Sequence, residues 1–146
     1  MLQTRSQKYA ADVYDRVLTI QENPNEKLRG EFLSLARSFP VLVRTVGLVQ
    51  ALSFLAAKAK PEEGKIDQAT AQGLLLTNLS QTVTGGDKLL EDCRNKSLHN
   101  YIRLTRDALD ALLWYKRFSE SLLNVKSAKA KAAKDTPDDT DAGGKA

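Results

Sequence analysis

The sequence is poor in the residues on which most enzyme sites and disulfide frameworks depend. Its 146 residues include one cysteine, one histidine and one tryptophan. A lone cysteine, Cys93, excludes an internal disulfide and suits a reducing compartment. A lone histidine leaves any zinc site to be built mostly from carboxylates. The acidic residues are dispersed, and most lie beside a lysine or an arginine. We therefore expect no catalytic residue, no bound metal and no cofactor.

Long apolar segments are also missing. No run approaches the roughly 18 apolar residues of a membrane span. The first residues, MLQTRSQKYAAD, lack the apolar core of a signal peptide. The glycine-containing stretch TGGDK lacks the spacing of a phosphate-binding loop. We expect a cytoplasmic protein with no membrane partner and no small-molecule substrate.

Breakers of regular structure are few, with four prolines and eight glycines, and alternating Val/Ile/Thr runs are absent. Helix-forming residues dominate, and 146 residues suffice for one domain with a core. These features predict an all-α fold, a single compact bundle of about five to six helices over residues 1–125. Residues 126–146 contain no large apolar side chain and therefore predict a flexible, disordered C-terminal tail.

The apolar spacing predicts helices at about 2–21, 24–37, 40–60, 67–83, 88–94 and 98–124. In the first of these, Leu2, Tyr9, Val13, Val17 and Ile20 form one apolar stripe. Further residues carry the signals for helix ends. These are Asn23 with Glu26 as a capping box, Pro40 as the end of the second helix and start of the third, Gly85 or Gly86 as a left-handed C-cap, and Asp87 and Ser97 as N-caps.

Charge is modestly positive, with a net charge of +4 and a pI near 9.2. The third predicted helix is apolar almost all the way round, and no acidic residue occurs from Phe32 to Lys60. The strongest cationic set is Arg37, Arg44, Lys58 and Lys60. Such side chains either lie along apolar surface with their charges in water, or face a phosphate backbone.

A helical wheel of the third helix places Gly47 and Ala51 near Arg44 and Lys58. The result is a narrow face of small residues flanked by cations.

The last predicted helix carries the one tryptophan on its charged side. Spacing of four residues predicts ion pairs of Arg103 with Asp107 and of Arg106 with Asp110. Lys116 and Arg117 have no acidic residue four positions before them. Trp114 is either covered by a loop or by the first helix of its own chain, or contacts another subunit or a base.

Two stretches resemble the signatures of a known family. FPVLVRTVGLVQALSFLAAK is similar to the first signature, and YIRLTRDALDALLWYKRFSESLL to the second. The first is matched at Phe39, Pro40, Leu42, Gly47, Leu48, Gln50, Leu52, Phe54 and Lys58. The second is matched at Tyr101, Thr105, Ala108, Leu109, Trp114, Lys116, Arg117 and Phe118, with Asp107 where Glu is usual and Tyr115 where Leu is usual. Arg5 also fits.

The family is the small subunit of the type III-B CRISPR effector, the Cmr complex. The resemblance implies an all-helical, non-catalytic subunit that stacks in several copies along the complex. Its partners would be other Cmr subunits, further copies of itself, and the guide and target RNA. On charge and placement we take eight residues as candidates for RNA contact: Arg44, Lys58, Lys116, Arg117, Arg37, Lys60, Arg5 and Lys8. The resemblance also implies helix contacts between neighbouring copies, which the small-residue face and the tryptophan would suit, so Trp114, Gly47 and Ala51 are the candidate subunit-interface residues.

Other functions stay open at this point. A purely structural helical scaffold would join protein subunits without touching RNA, as would a relative of the type III-A small subunit in that role. A small nuclease or hydrolase would need a carboxylate such as Asp87 or Glu91. The salt dependence of assembly distinguishes a subunit that contacts RNA from a pure scaffold, because phosphate contacts weaken steeply with ionic strength and apolar contacts do not.

Overall fold

A computed structural model of the protein describes residues 3–59 and 69–123. Within these ranges the chain forms six α-helices and no strand, which confirms the all-α prediction. The helices are α1 Arg5–Gln21, α2 Glu26–Val46, α3 Leu48–Lys58, α4 Ala71–Thr84, α5 Leu89–Asn95 and α6 Leu98–Leu122. The tail predicted at 126–146 and the domain boundary at 125 lie outside the described residues.

The long helix α6 lies between α1 and α2 and also packs on α4. Helix α1 runs parallel to α6, because Arg5 at its start reaches Asp107 and Gln21 at its end donates a hydrogen bond to the Leu122 carbonyl at 2.9 Å. Helix α2 runs antiparallel to α6, since Arg37 within α2 pairs with Glu120 near the end of α6, and the amide of Val49, just beyond α2, donates to the Tyr101 hydroxyl near the start of α6. Helices α1 and α2 therefore cover two sides of α6, and the face of α6 between them stays uncovered.

The core is formed by apolar residues at three- and four-residue spacing on the helices. In α1 the buried residues are Tyr9, Val13, Val17 and Ile20, which confirms the predicted stripe in the part that is described. The largest fully buried side chains elsewhere are Tyr115, Phe32, Phe39, Leu48, Leu52, Leu55, Leu75, Leu79, Leu89 and Leu112. Each such side chain stabilises the fold by about 1.5–3 kcal/mol relative to exposure.

A polar network joins three helices beside this core. Asp12 of α1 accepts hydrogen bonds from Arg16 Nε at 2.8 Å and from the Thr82 hydroxyl of α4 at 2.7 Å. Arg16 also donates to Gln81 Oε1 at 2.6 Å. The Thr82 hydroxyl lies 2.7 Å from the hydroxyl of Tyr115 on α6, and burial raises the pKa of that tyrosine. The network fixes α1, α4 and α6 relative to one another.

Two of the predicted helix ends are confirmed. Ser97 caps α6 by accepting a hydrogen bond from the Asn100 amide at 3.4 Å. Gly85 ends α4 in the left-handed conformation, with φ of 78°. That conformation is open to glycine at little cost, because glycine has no Cβ.

Two other predicted caps are wrong. Asn25 rather than Asn23 caps α2, accepting from the Leu28 amide at 3.1 Å, while Asn23 accepts from the amide of Asn25. Lys88, not Asp87, precedes α5, and no side chain caps that helix. A capping box does occur in the protein, at the start of α1, where Thr4 and Gln7 exchange hydrogen bonds.

The main departure from the prediction is the position of the break between α2 and α3. Helix α2 continues through Pro40 to Val46, and the chain breaks at Gly47. A proline inside a helix costs about 3 kcal/mol, but Pro40, Phe39 and Val43 are all buried in the core, which offsets that cost. Gly47 has φ of 90° and ψ of 160°, a conformation that side-chain-bearing residues rarely adopt.

We expect Gly47→Ala to destabilise the protein by about 1–3 kcal/mol, because alanine is strained at this positive φ. Its Cβ would also lie 3.3 Å from the Tyr101 hydroxyl. Equilibrium unfolding in urea measures the change in the free energy of unfolding.

Gly30 is the matched control, since it lies exposed within α2 and a Cβ there would meet nothing within 4 Å. Gly30→Ala should stabilise the protein by about 0.5–1 kcal/mol through helix propensity. Equal effects of the two substitutions would contradict the assignment of the break to Gly47.

Candidate nucleic-acid interface

An open groove runs along the surface between helices α2 and α6, and we call it the α2/α6 groove. Its wider part has a volume of about 640 Å³ and its narrower part about 60 Å³. Both parts include Arg44 and Leu109, so they adjoin. The lining residues are Arg37, Pro40, Val41, Val43, Arg44, Gly47 and Leu48 from the α2 side, and Tyr101, Ile102, Thr105, Arg106, Leu109, Asp110, Leu113 and Lys116 from α6.

The groove combines exposed apolar side chains with cations. Val41 is 61% exposed, Ile102 51% and Leu113 41%. The cations are Arg37, Arg44, Arg106 and Lys116. Apolar surface next to unpaired positive charge suits a ligand that is anionic along one edge and flat or apolar along another.

Most of these cations have no acidic partner among the described residues. Arg37 pairs with Glu120 at 3.2 Å, but both side chains are well exposed, so the pair contributes little to stability. Within residues 3–59 and 69–123, Arg44, Arg106 and Lys116 form no ion pair. In this part of the chain, three positive charges around one groove therefore remain available to bind an anion.

Arg106 has no ion-pair partner among the described residues because Arg5 of α1 takes the nearby aspartates. Arg5 Nη1 lies 2.6 Å from Asp107 Oδ1, and Arg5 Nη2 lies 2.5 Å from Asp110 Oδ2. The predicted pairs of Arg103 with Asp107 and of Arg106 with Asp110 are therefore wrong, because one guanidinium from α1 takes both aspartates. Arg103 and Arg106 are left unpaired among the described residues, and Arg5 offsets the charge of Asp110 at the edge of the groove.

The structure places three of the eight RNA-contact candidates together, namely Arg37, Arg44 and Lys116 in the α2/α6 groove. Sequence reasoning missed a fourth groove cation, Arg106, because spacing along the helix assigned it the wrong partner. Its position in a helix that also carries Lys116 was the available signal.

The other candidates lie elsewhere. Arg5 and Lys8 are on α1 and do not line the groove, and Arg5 is engaged in its two ion pairs, one of them with the groove residue Asp110. Lys58 is at the end of α3 with its amine 5.8 Å from the centre of the Phe54 ring, and it does not line the groove. Lys60 lies outside the described residues. Because the chain breaks at Gly47, the face predicted to join Arg44, Gly47, Ala51 and Lys58 on one helix does not exist.

Trp114 lies against the first helix of its own chain. Its indole N–H donates to the Ser6 hydroxyl at 3.3 Å, and its ring stacks on Phe118 with centroids 5.4 Å apart. The guanidinium of Arg117, another RNA-contact candidate, lies 5.6 Å from the ring centre. Coverage by α1 is thus observed, and a role of Trp114 in contact with another subunit stays a prediction.

The two small interface candidates have different environments. Ala51 is fully buried in the core of its own chain and presents no surface to another subunit. It is therefore removed from the interface candidates. Gly47 lines the α2/α6 groove, where its missing side chain leaves room beside the Tyr101 hydroxyl.

No arrangement typical of catalysis is found in the part of the chain that the structure describes. Within it, no group of three or more His, Cys, Asp or Glu side chains could hold a metal ion. Cys93 is buried, and burial raises the pKa of its thiol to about 11, which disfavours the reactive thiolate. None of the helices described here has the length and apolarity needed to cross a membrane.

The described residues form a small all-helical domain with a surface groove lined by cations. The chain belongs to the Cmr5 family of CRISPR-associated proteins, because the family model described as CRISPR-associated protein (Cas_Cmr5) matches residues 5–122. This confirms the resemblance noted from the two signatures, that to the small subunit of the type III-B Cmr complex.

A curated protein and a solved structure from Thermus thermophilus are similar to this chain. The CRISPR system Cmr subunit Cmr5 of that organism is 36% identical over 122 residues, which are 84% of this chain and 98% of the relative. The crystal structure of a CRISPR-associated Cmr5 family protein has a TM-score of 0.69 at 35% identity. That likeness covers 83% of this chain and 98% of the crystallised one.

We expect Trp114→Ala to lower the free energy of unfolding of the isolated protein by about 1–3 kcal/mol, because the ring stacks and packs on α1. Chemical denaturation followed by circular dichroism measures the change. The control is Ile102→Ala, which removes apolar surface from the same helix at a half-exposed position and should cost less than about 0.5 kcal/mol. Unchanged stability of the Trp114 variant would show that α1 does not hold the ring.

Proposed function

We propose that this protein is a non-catalytic small subunit of a type III-B CRISPR effector complex and that its α2/α6 groove holds the backbone of the guide or target RNA. Several copies would stack along the complex beside other Cmr subunits in the cytoplasm. Membership of the Cmr5 family supports the first part of the proposal. The relative from Thermus thermophilus is itself named a Cmr subunit.

The observation that carries the RNA part is the set of three cations around one groove that have no ion-pair partner among the described residues. Arg44 projects from α2, and Arg106 and Lys116 from α6, so the charges line both walls. Phosphate contacts of this kind depend on charge and spacing rather than on base identity. A subunit that must accept guides of any sequence needs that property.

The apolar side chains of the groove complement the cations. Ile102 and Leu113 are exposed on α6, at 51% and 41%, and lie about one helical turn before Arg106 and Lys116 respectively. Apolar side chains in these positions can contact ribose or base faces while arginine and lysine bind phosphates. The wide part of the groove, at about 640 Å³, has room for more than a single ion.

A scaffold role without RNA contact is the second candidate, and a different observation favours it. Leu98 is 73% exposed and Val41 61% exposed, more than a phosphate-binding surface requires. Exposed apolar side chains of this kind suit contact with another subunit. Leu98 does not line the groove, so contact of another copy with Leu98 is compatible with binding of RNA in the groove.

The test is the double variant Arg44→Gln with Lys116→Gln, measured by fluorescence anisotropy with a labelled single-stranded RNA. We expect roughly ten- to hundredfold weaker binding, because two charge-assisted contacts are lost. The slope of log K against log salt should fall by about 1.4, since each phosphate contact with a single strand contributes about 0.7.

The matched control is Lys27→Gln with Lys88→Gln. Both lysines are exposed, lie outside the groove and form no ion pair among the described residues, and the change in net charge is the same. A uniform effect of the two double variants would show that RNA responds to net charge only. Unchanged binding by a folded groove variant would leave the scaffold role as the function.

A further inference from the structure

The chain continues past α6 with a segment of unusual charge. Residues 135–141, DTPDDTD, hold four aspartates and no basic residue, and they follow a stretch, 126–134, that holds four lysines. The match to the Cmr5 family ends at residue 122. The acidic segment is therefore an addition to the family domain in this protein, and the family resemblance assigns it no role.

We propose that the acidic segment 135–141 binds the α2/α6 groove of its own chain and competes there with RNA. Binding of the segment to the groove stands on charge and reach alone. The competition rests on the proposed function, because it requires that RNA uses the same groove. The segment would act as an internal mimic of the phosphate backbone.

The chain after α6 is long enough for the acidic segment to reach every cation of the groove. Helix α6 ends at Leu122, and at about 1.5 Å per residue Lys116 lies about 9 Å and Arg106 about 24 Å back along its axis. Arg44 faces the stretch of α6 between them, since it lines the groove together with Leu109. The residues between Leu123 and Asp135 can span up to about 40 Å when extended. The connection can therefore turn back and place the aspartates along the groove.

Charge complementarity selects this segment over other parts of the chain. Its carboxylates meet Arg44, Arg106 and Lys116, which have no acidic partner among the described residues. The segment has no large apolar side chain, so its binding would be electrostatic, and each of its ion pairs would be weak. Attachment to the same chain compensates for that weakness, because a short tether gives an effective concentration in the millimolar range.

The charge order of the tail suits an exchange between segment and RNA. RNA repels the aspartates of 135–141 and attracts the lysines of 126–134. Displacement of the acidic segment from the groove therefore leaves the preceding lysines free to contact the same RNA.

Docking is tested without RNA by cross-linking with a carbodiimide, which joins a carboxylate directly to a lysine amine. Lys116 is the lysine that lines the groove, and the variant Arg44→Lys adds a second acceptor. Peptide mass spectrometry should find 135–141 joined to Lys116, and to position 44 in R44K. The yield should fall at high salt because the contact is electrostatic.

Two further features make this test decisive. An equal mixture of light and isotope-labelled protein separates links within one chain from links between copies, and links between copies would overturn the proposal. Exposed Lys27 and Lys88 are internal controls outside the groove. Links to these two at the same yield as to Lys116 would also overturn it, as chance encounter would then explain the products.

Competition is tested with full-length protein carrying Asp135→Asn, Asp138→Asn, Asp139→Asn and Asp141→Asn. We expect its affinity for single-stranded RNA to rise about three- to tenfold at low salt, the factor given by a tethered competitor whose effective concentration is about two to nine times its own Kd for the groove. The matched control neutralises four exposed acids of the helices, namely Asp15→Asn, Glu26→Gln, Glu31→Gln and Glu91→Gln. An equal gain in both variants would overturn the competition.

The two proposals fail in distinguishable ways. Absence of cross-links from 135–141 to the groove overturns docking whatever RNA does. Loss of RNA binding in R44Q with K116Q supports the proposed function whether or not the segment docks. Cross-links to the groove together with an unchanged RNA affinity of the asparagine variant would overturn the competition.

Discussion

The burial of α6 among α1, α2 and α4 is the interaction on which the rest of the structure depends. Ala108, Ala111, Leu112 and Tyr115 of this helix have no exposed surface. Small alanines allow the neighbouring helices to approach closely, and Tyr115 extends to the polar network of α1 and α4. Because three neighbours cover only part of its circumference, α6 keeps one outward face. That face carries the cations of the candidate site.

The charge of this outward face is set by Arg5. Without it, Asp107 and Asp110 would offset the arginines one turn away on the same helix. With it, one guanidinium from α1 engages both carboxylates, at 2.6 and 2.5 Å. The pair of Arg5 with Asp110 is half-exposed on both sides and contributes little to folding, so its main effect is on the surface potential. The contact of Arg5 with the two aspartates thus leaves the groove positive.

Much of the fold could be predicted from the sequence because it depends on local patterns. The number of helices, the apolar stripe of α1 and the cap at Ser97 all follow from spacing and residue type. The break at Gly47 could not be located, because a proline signal at Pro40 is stronger locally and only burial in the core makes that proline tolerable. The burial of Ala51 was missed because a single helix over 40–60 placed it on one face with Arg44, whereas the break at Gly47 turns it into the core.

The candidate site was only partly predictable. Arg37, Arg44 and Lys116 were selected on charge, but their meeting in one groove requires the antiparallel packing of α2 on α6. Arg106 was discounted because Asp110 lies four residues away on the same helix. In the structure Asp110 pairs with Arg5 instead, and the two are more than a hundred residues apart in the chain. Contacts of such separation depend on tertiary structure and leave no mark on the spacing along one helix.

The central claim is that the outward face between α2 and α6 meets RNA in the assembled complex. The most direct test is photo-cross-linking of the purified complex, assembled on a guide RNA that contains 4-thiouridine, with mass spectrometry of the linked peptides. We expect links to peptides that contain Arg44, Arg106 or Lys116. Links confined to α4 and α5, or none to this subunit beside strong links to others, would contradict the claim.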